Sequence, residues 1–169
     1  MLRTLATGTP CQNMHIRQAT PDDAGPLSAL IQALSGPLLA SPDGHGAEPF
    51  LASISMTAIA GIIASTRFRF WVVDTGLDPV GVVALRDCNH LYHLFVAQAF
   101  QRTGLASRLW STAHAAALQS GNPGNFTVNA SVNAVPVYQH FGFLATGPEL
   151  RSHGVVFVPM RKPAMAGGA

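Results

Sequence analysis

The chain has 169 residues, 48% of them hydrophobic and only 11% charged, with a formal net charge of +2. That apolar content excludes a disordered chain, and no apolar run approaches the about eighteen residues of a membrane span. The charge is too small and too scattered for a nucleic-acid-binding face, and Cys11 and Cys88 have no metal-ligand spacing, so neither a metal site nor a disulfide framework is expected.

Residues 1–13 lack the roughly 7–15-residue apolar core of a secretory signal. They read as a frayed extension, with a reducing cytoplasm as the expected compartment. A single domain is expected over residues 14–162 and a short tail over 163–169. Residues 14–19 (MHIRQA) alternate apolar and polar, the mark of a half-buried strand. Thr20-Pro21-Asp22-Asp23 then supplies an N-cap, a proline at the first helical position and an acid at the third. Ala24, Leu27, Leu30, Ile31 and Leu34 form the buried stripe of that helix, which Gly36-Pro37 stops.

A proline- and glycine-rich loop spans residues 37–49, and a second helix is expected over about 50–65 with Ile54, Ala58, Ile62 and Ile63 on its inner side. Phe68–Asp74 and residues 80–86 read as strands joined by TGLDP, and His90–Val96 as the third strand of a meander. Leu105, Leu109, Ala113, Ala116 and Ala117 mark the inner face of a third helix, ended by Gly121-Asn122-Pro123. Phe126–Ala130 is a strand. Asn133 is the expected N-cap of a short helix with Pro136 in its first turn and Gly142 in a left-handed position after it. Residues 143–146 and 155–160 close the chain as a hairpin. The order β-α-α-β-β-β-α-β-α-β-β is that of an α+β or mixed α/β domain.

The segment QRTGLA between the His90–Val96 strand and the third helix combines a glycine turn with a helix start that carries no acid. Such a start offers unpaired backbone N–H groups and the positive end of the helix dipole, a site suited to phosphate. No lysine follows the glycine as a P-loop requires, and there is no G-x-G-x-x-G. The structural alternative is a crossover whose glycine only permits the turn.

QRTGLA resembles the Q/R-x-x-G-x-G/A signature of the GNAT superfamily of acyl-CoA-dependent N-acetyltransferases. Downstream, NAVPVYQHFGF (residues 133–143) is similar to the second recurring segment of that family, an Asn, a Tyr five residues on and then Gly-Phe. The resemblance implies a mixed, mostly antiparallel central sheet of six to seven strands flanked by four helices. It implies acetyl-CoA as co-substrate, a small-molecule amine as acceptor, and no metal.

By the same resemblance Gln101, Arg102, Thr103, Gly104, Leu105, Ala106 and Ser107 hold the pyrophosphate, Ala106 standing where glycine is commoner, and Arg108 adds charge. The main chain of Leu94, Phe95 and Val96 pairs with the pantetheine arm, an amide of Phe95 or Val96 acting as oxyanion donor. Asn133 contacts pantetheine, and Asn129 is a weaker candidate of the same kind. Tyr138 is the expected general acid, since a phenol near pKa 10 stays protonated at neutral pH, and its alternative is a core tyrosine. His90 falls on the strand position where some members place a base. Tyr92 is expected on the same strand face, and His93 on the other, in a structural role. Because acyl transfer in the family is direct, Cys88 is not implied as a nucleophile.

The acceptor groove is expected from the 37–49 loop and the tip of the last hairpin, residues 148–154, where Asp43, His45, Glu48, Glu149 and His153 could select a cationic amine. A non-catalytic acyl-CoA sensor and a protein or peptide N-acetyltransferase are the competing readings. Low charge and strands apolar on both faces point to a homodimer, paired through residues 143–160.

Overall fold

In the computed structural model, which describes residues 14–166, the expected order recurs with two additions, one helix and one strand. The expected extension over 1–13 lies outside the described residues. The elements are β1 (His15–Gln18), α1 (Ala24–Leu34), α2 (Glu48–Ser53), α3 (Met56–Ala64), β2 (Phe68–Asp74), β3 (Gly81–Arg86) and β4 (His90–Val96), followed by α4 (Leu105–Gln119), β5 (Phe126–Ala130), α5 (Val135–His140), β6 (Leu144–Ala145), β7 (Leu150–Ser152) and β8 (Val155–Lys162). Eight strands and five helices among the described residues thus exceed the six to seven and four expected.

The start of α1 follows from its capping box. The Thr20 N–H donates to the Asp23 carboxylate at 2.8 Å, and a 3-10 turn over Pro21–Asp23 leads into the helix. Arg17 forks onto the same carboxylate at 2.8 and 2.9 Å and reaches Asp74 at 2.7 Å, tying β1 to α1 and to β2. Its guanidinium holds the Asp23 carboxyl below the usual range.

The single helix expected over 50–65 is two. The chain breaks at Ile54-Ser55, where Ser55 turns extended and its hydroxyl accepts from the Ala58 N–H. A serine amid apolar residues competes for backbone groups and favours a cap over a helix interior. The break turns Ile54 fully inward, and its carbonyl accepts from the buried Ser28 hydroxyl at 2.7 Å. Ile54 and Ile59, not Ala58, Ile62 and Ile63, are the fully buried residues of this segment.

The sheet order is β1-β2-β3-β4-β5-β8-β6, with β7 also paired to β8. All neighbours are antiparallel except β4 and β5, which run parallel. One face carries α4 and α5 over a core that includes Trp71, Leu91, Leu109, Trp110, Phe126 and Phe143. The other carries α1 and α3 over Leu27, Ile31, Ile59, Phe70, Val72 and Val82. The expected hairpin tip contains β7, closed by a two-residue turn in which His153 and Gly154 both have positive φ. β6 and β7 form an interrupted edge on which Leu144 is 65% and Leu150 44% exposed.

Candidate active site

β4 and β5 pair only at His90–Thr127 and Leu91–Val128. Just beyond, β4 bulges. Ala84 of β3 lies opposite His93 and Leu85 opposite Leu91, so Tyr92 is the extra residue. The two strands part from there, leaving the last residues of β4 paired to β3 alone. Ala97 N–H donates to Val80 O at 2.8 Å on the β3 side. Alternation along an antiparallel strand then turns the Phe95 amide to β3 as well, and the Leu94 and Val96 amides to the gap. Of the three residues expected to present main chain there, Phe95 therefore points the wrong way.

The gap leads to the QRTGLA turn. Gly104 has φ +82° with nothing within 4 Å of the position a Cβ would take, and Arg102 precedes it at φ +61°. Two left-handed residues reverse the chain so sharply that α4 starts with its first amides facing outward. Arg108 N–H is the first to find a helical carbonyl, on Gly104, and no acid stands in the first turn. The Leu105, Ala106 and Ser107 amides are thus the unpaired donors of the helix start. Leu105 itself is buried in the core and anchors the turn. The Gln101 and Thr103 side chains serve the turn itself. The Gln101 side chain donates to Val96 O at 3.0 Å and its N–H to Gln98 O, while the Thr103 hydroxyl donates to Phe100 O. Both shape the turn from within.

Tyr138 lies in α5, 7% exposed, with its ring edge-on to Phe141 and Phe143. Burial raises its pKa above the ordinary value, so it stays protonated through neutral pH. The hydroxyl makes no hydrogen bond among the described residues. Because His93 Nε2 is the single fully enclosed side-chain N or O there without a partner, that hydroxyl borders accessible space.

Asn133 is not the N-cap expected. The helix begins earlier, as a 3-10 turn over Val132–Ala134 with Ser131 in the N-cap position, and Asn133 Oδ1 accepts from the Ser131 hydroxyl at 2.8 Å.

His90 stands at the closed end of the gap, on the sheet face away from α4, with Nδ1 2.8 Å from the Thr127 hydroxyl. Burial, and then the nearby Arg86, push its pKa down to about 4. It is neutral at pH 7 but a weak base. The bulge corrects the expectation for His93, which shares the Tyr92 face, its ring 4.4 Å from Tyr92 and 6.0 Å from Phe70. Nothing in the alternation of a single strand signals such a bulge.

The two loops expected to frame an acceptor groove do meet. Leu39 bridges to Val155, and Ala40 N–H donates to Gly154 O at 2.8 Å. A Cβ on Gly154 would collide with the backbone of Gly46 and Ala47, so only glycine allows this seat. The 3-10 turn Gly36–Leu38 packs on β8 and on the turn Val132–Ala134, walling the gap on the face opposite α4. Asp43 and Glu48 serve the loop itself, accepting from the Ser41 hydroxyl and His45 N–H and from the Gly46 N–H.

The frame of the site is a mixed sheet split between two parallel strands and followed by an acid-free helix start behind a left-handed glycine. Residues 38–164 match the family described as acetyltransferase (GNAT) domain. The chain belongs to that family of acetyltransferases. Its fold is similar to that of PaiA N-acetyltransferase from Thermoplasma acidophilum in complex with coenzyme A, at TM-score 0.71 and 13% identity over 89% of this chain and 99% of that one. A GCN5-related N-acetyltransferase from Rhodopseudomonas palustris aligns at TM-score 0.69 and 19% identity, over 89% and 96% of the two chains. An aminoglycoside 6'-N-acetyltransferase complexed with coenzyme A aligns at TM-score 0.67 and 11% identity, over 92% and 100%. A search of curated proteins returned no significant match.

Proposed function

We propose that the protein transfers the acetyl group of acetyl-CoA to a primary amine of a small molecule, by direct attack in a ternary complex. The observation that carries this reading is the gap between β4 and β5 ending at an acid-free helix start behind a left-handed glycine. The residues fit the group. The Leu105, Ala106 and Ser107 amides would take the pyrophosphate, with Arg102 and Arg108 supplying charge. The Leu94 and Val96 amides would take the arm, and one of them the thioester oxygen. When bound, acetyl-CoA supplies an activated acyl group. The amine nitrogen forms the new C–N bond, the C–S bond breaks, and the amine proton leaves to solvent or to a base.

Tyr138 donates a hydrogen bond to the departing sulfur. Full proton transfer from a phenol to a thiolate is uphill, because a thiol near pKa 8.5 is the stronger acid, so the hydroxyl acts chiefly by stabilising developing charge. An unpaired phenol supports the enzyme reading over an acyl-CoA sensor, which has no use for one. His90 is the proposed base. At about 4 its pKa leaves it unprotonated over the working range.

The test is CoA release from acetyl-CoA across a panel of amines, amino acids and peptides, with turnover on at least one small amine expected. If His90 is the base, the acid limb of kcat/KM falls near pH 4, and a limb at 6.5 removes it from the role. The exposed β6–β7 edge supports a homodimer as part of the same proposal. Sedimentation should then give twice 17.7 kDa, and a monomer mass would overturn that part.

A further inference from the structure

Register places one row of side chains across the sheet at the closed end of the gap. Arg86 of β3 lies opposite His90 of β4, His90 opposite Thr127 of β5, and Thr127 opposite Arg161 of β8. Their chain neighbours Leu85, Leu91, Val128 and Met160 all enter the core under α4, so the row faces the other way. Thr127 and Arg161 are exposed on that face, and His90 is tied to Thr127.

The two arginines flank the row, three strand spacings or about 14 Å apart at the backbone, close enough for their long side chains to converge. The Arg161 side chain makes no hydrogen bond or ion pair among the described residues. Arg86 sits over the Tyr92 ring at 5.8 Å and donates no hydrogen bond there either. The one carboxylate paired with Arg86 among the described residues is Asp87, 3.9 Å from its Nε, and Arg67 already occupies both its oxygens at 2.9 and 2.7 Å. Counting Arg67, Arg86 and Arg161 against Asp87, this end of the gap carries an excess of two positive charges.

An acceptor amine must reach the gap, which opens one to two residues beyond the row, about 3–7 Å along the strands. A cationic polyamine would meet like charge there. The geometry points to an acceptor that carries a carboxylate as well as its amine, in the manner of a short amino acid, with Arg86 and Arg161 holding the carboxylate and the amine directed into the gap. This deepens the proposed function and rests on it. The loop acids are otherwise engaged in this arrangement, Asp43 and Glu48 by their own loop and Glu149 by Arg151 at 3.5 Å.

The test uses the full chain with acetyl-CoA and pairs each amino acid with its carboxamide, which keeps the amine and removes the charge. 2-Aminoethyl phosphate and spermidine are run beside them. The acids should exceed their carboxamides in kcat/KM by at least about tenfold, the worth of one charge-assisted hydrogen bond. Arg161→Gln should erase most of that ratio through the KM of the acid while acetyl-CoA still binds, which also shows that the variant folds. Equal use of acids and carboxamides, preference for spermidine, or an unchanged ratio in Arg161→Gln overturns the inference. If 2-aminoethyl phosphate outruns every amino acid, the carboxylate assignment falls to a phosphate. Binding of acetyl-CoA with no amine turned over sinks this inference and leaves the cofactor assignment standing, whereas loss of acetyl-CoA binding by the unaltered protein removes the proposed function itself.

Discussion

Tyr138→Phe is expected to lower kcat by about 10²–10³-fold, the usual worth of one preorganised donor aimed at developing charge. The fold should survive it. The ring packs on Phe141 and Phe143, and phenylalanine keeps both contacts. The hydroxyl makes no hydrogen bond among the described residues, so removing it strands no partner, and the stability change should be small. Affinity for acetyl-CoA should also change little, because the proposed phosphate donors lie in another element. The raised pKa adds a sign. A phenol pushed above its ordinary value stays protonated as pH rises, so the activity of the parent protein should show no alkaline loss from Tyr138 below about pH 10. Steady-state kinetics on a confirmed amine, with calorimetry for the cofactor, decides the matter. An unchanged kcat would return Tyr138 to the core.

The second large effect is on binding. Gly104→Glu should abolish detectable 1:1 binding of acetyl-CoA in calorimetry. Two causes have to be separated. At φ +82° any side chain is strained, costing roughly 1 kcal/mol or somewhat more. Space does not add to that, since a Cβ meets nothing within 4 Å. The larger cause is charge, because a carboxylate placed at the helix start takes the position and the dipole that a pyrophosphate would use. A glutamate there even favours the helix, so the loss is not unfolding. Gly104→Asn separates the two, as asparagine tolerates the left-handed region and carries no charge. Binding retained in Gly104→Asn and lost in Gly104→Glu supports the pyrophosphate site. Equal loss in both, or none in either, contradicts it.

The family and most of the element order were legible in the chain because they rest on local chemistry. Thr20 and Asp23 cap α1 whatever lies around them. Gly104 must turn left-handed if a helix is to follow a strand so closely, and the four-residue recurrence of Leu105, Leu109 and Ala113 faces them all one way. Motif order then added what periodicity could not, the link between a helix start and a tyrosine more than thirty residues downstream.

What the tertiary structure alone decided depends on partners distant in sequence. The break at Ile54-Ser55 uses the local Ser55 cap, but its inward turn is tied to Ser28, on another helix, whose hydroxyl donates to the Ile54 carbonyl. Asn133 is not a cap because the chain leaving β5 turns two residues earlier, at Ser131. β7 was hidden in the polar segment ELRS, whose pairing comes from β8 rather than from its own pattern. The Tyr92 bulge set which of Leu94, Phe95 and Val96 offers an amide to the gap, and put His93 beside Tyr92. The row from Arg86 to Arg161 gathers residues from four strands that no local spacing relates. Sequence by itself determined what each segment tends to form, because capping, turn and periodicity energies act within a few residues. Register, bulges and the lateral neighbours across a sheet were settled only by the packed fold, because those pairings are made between strands that the chain holds far apart.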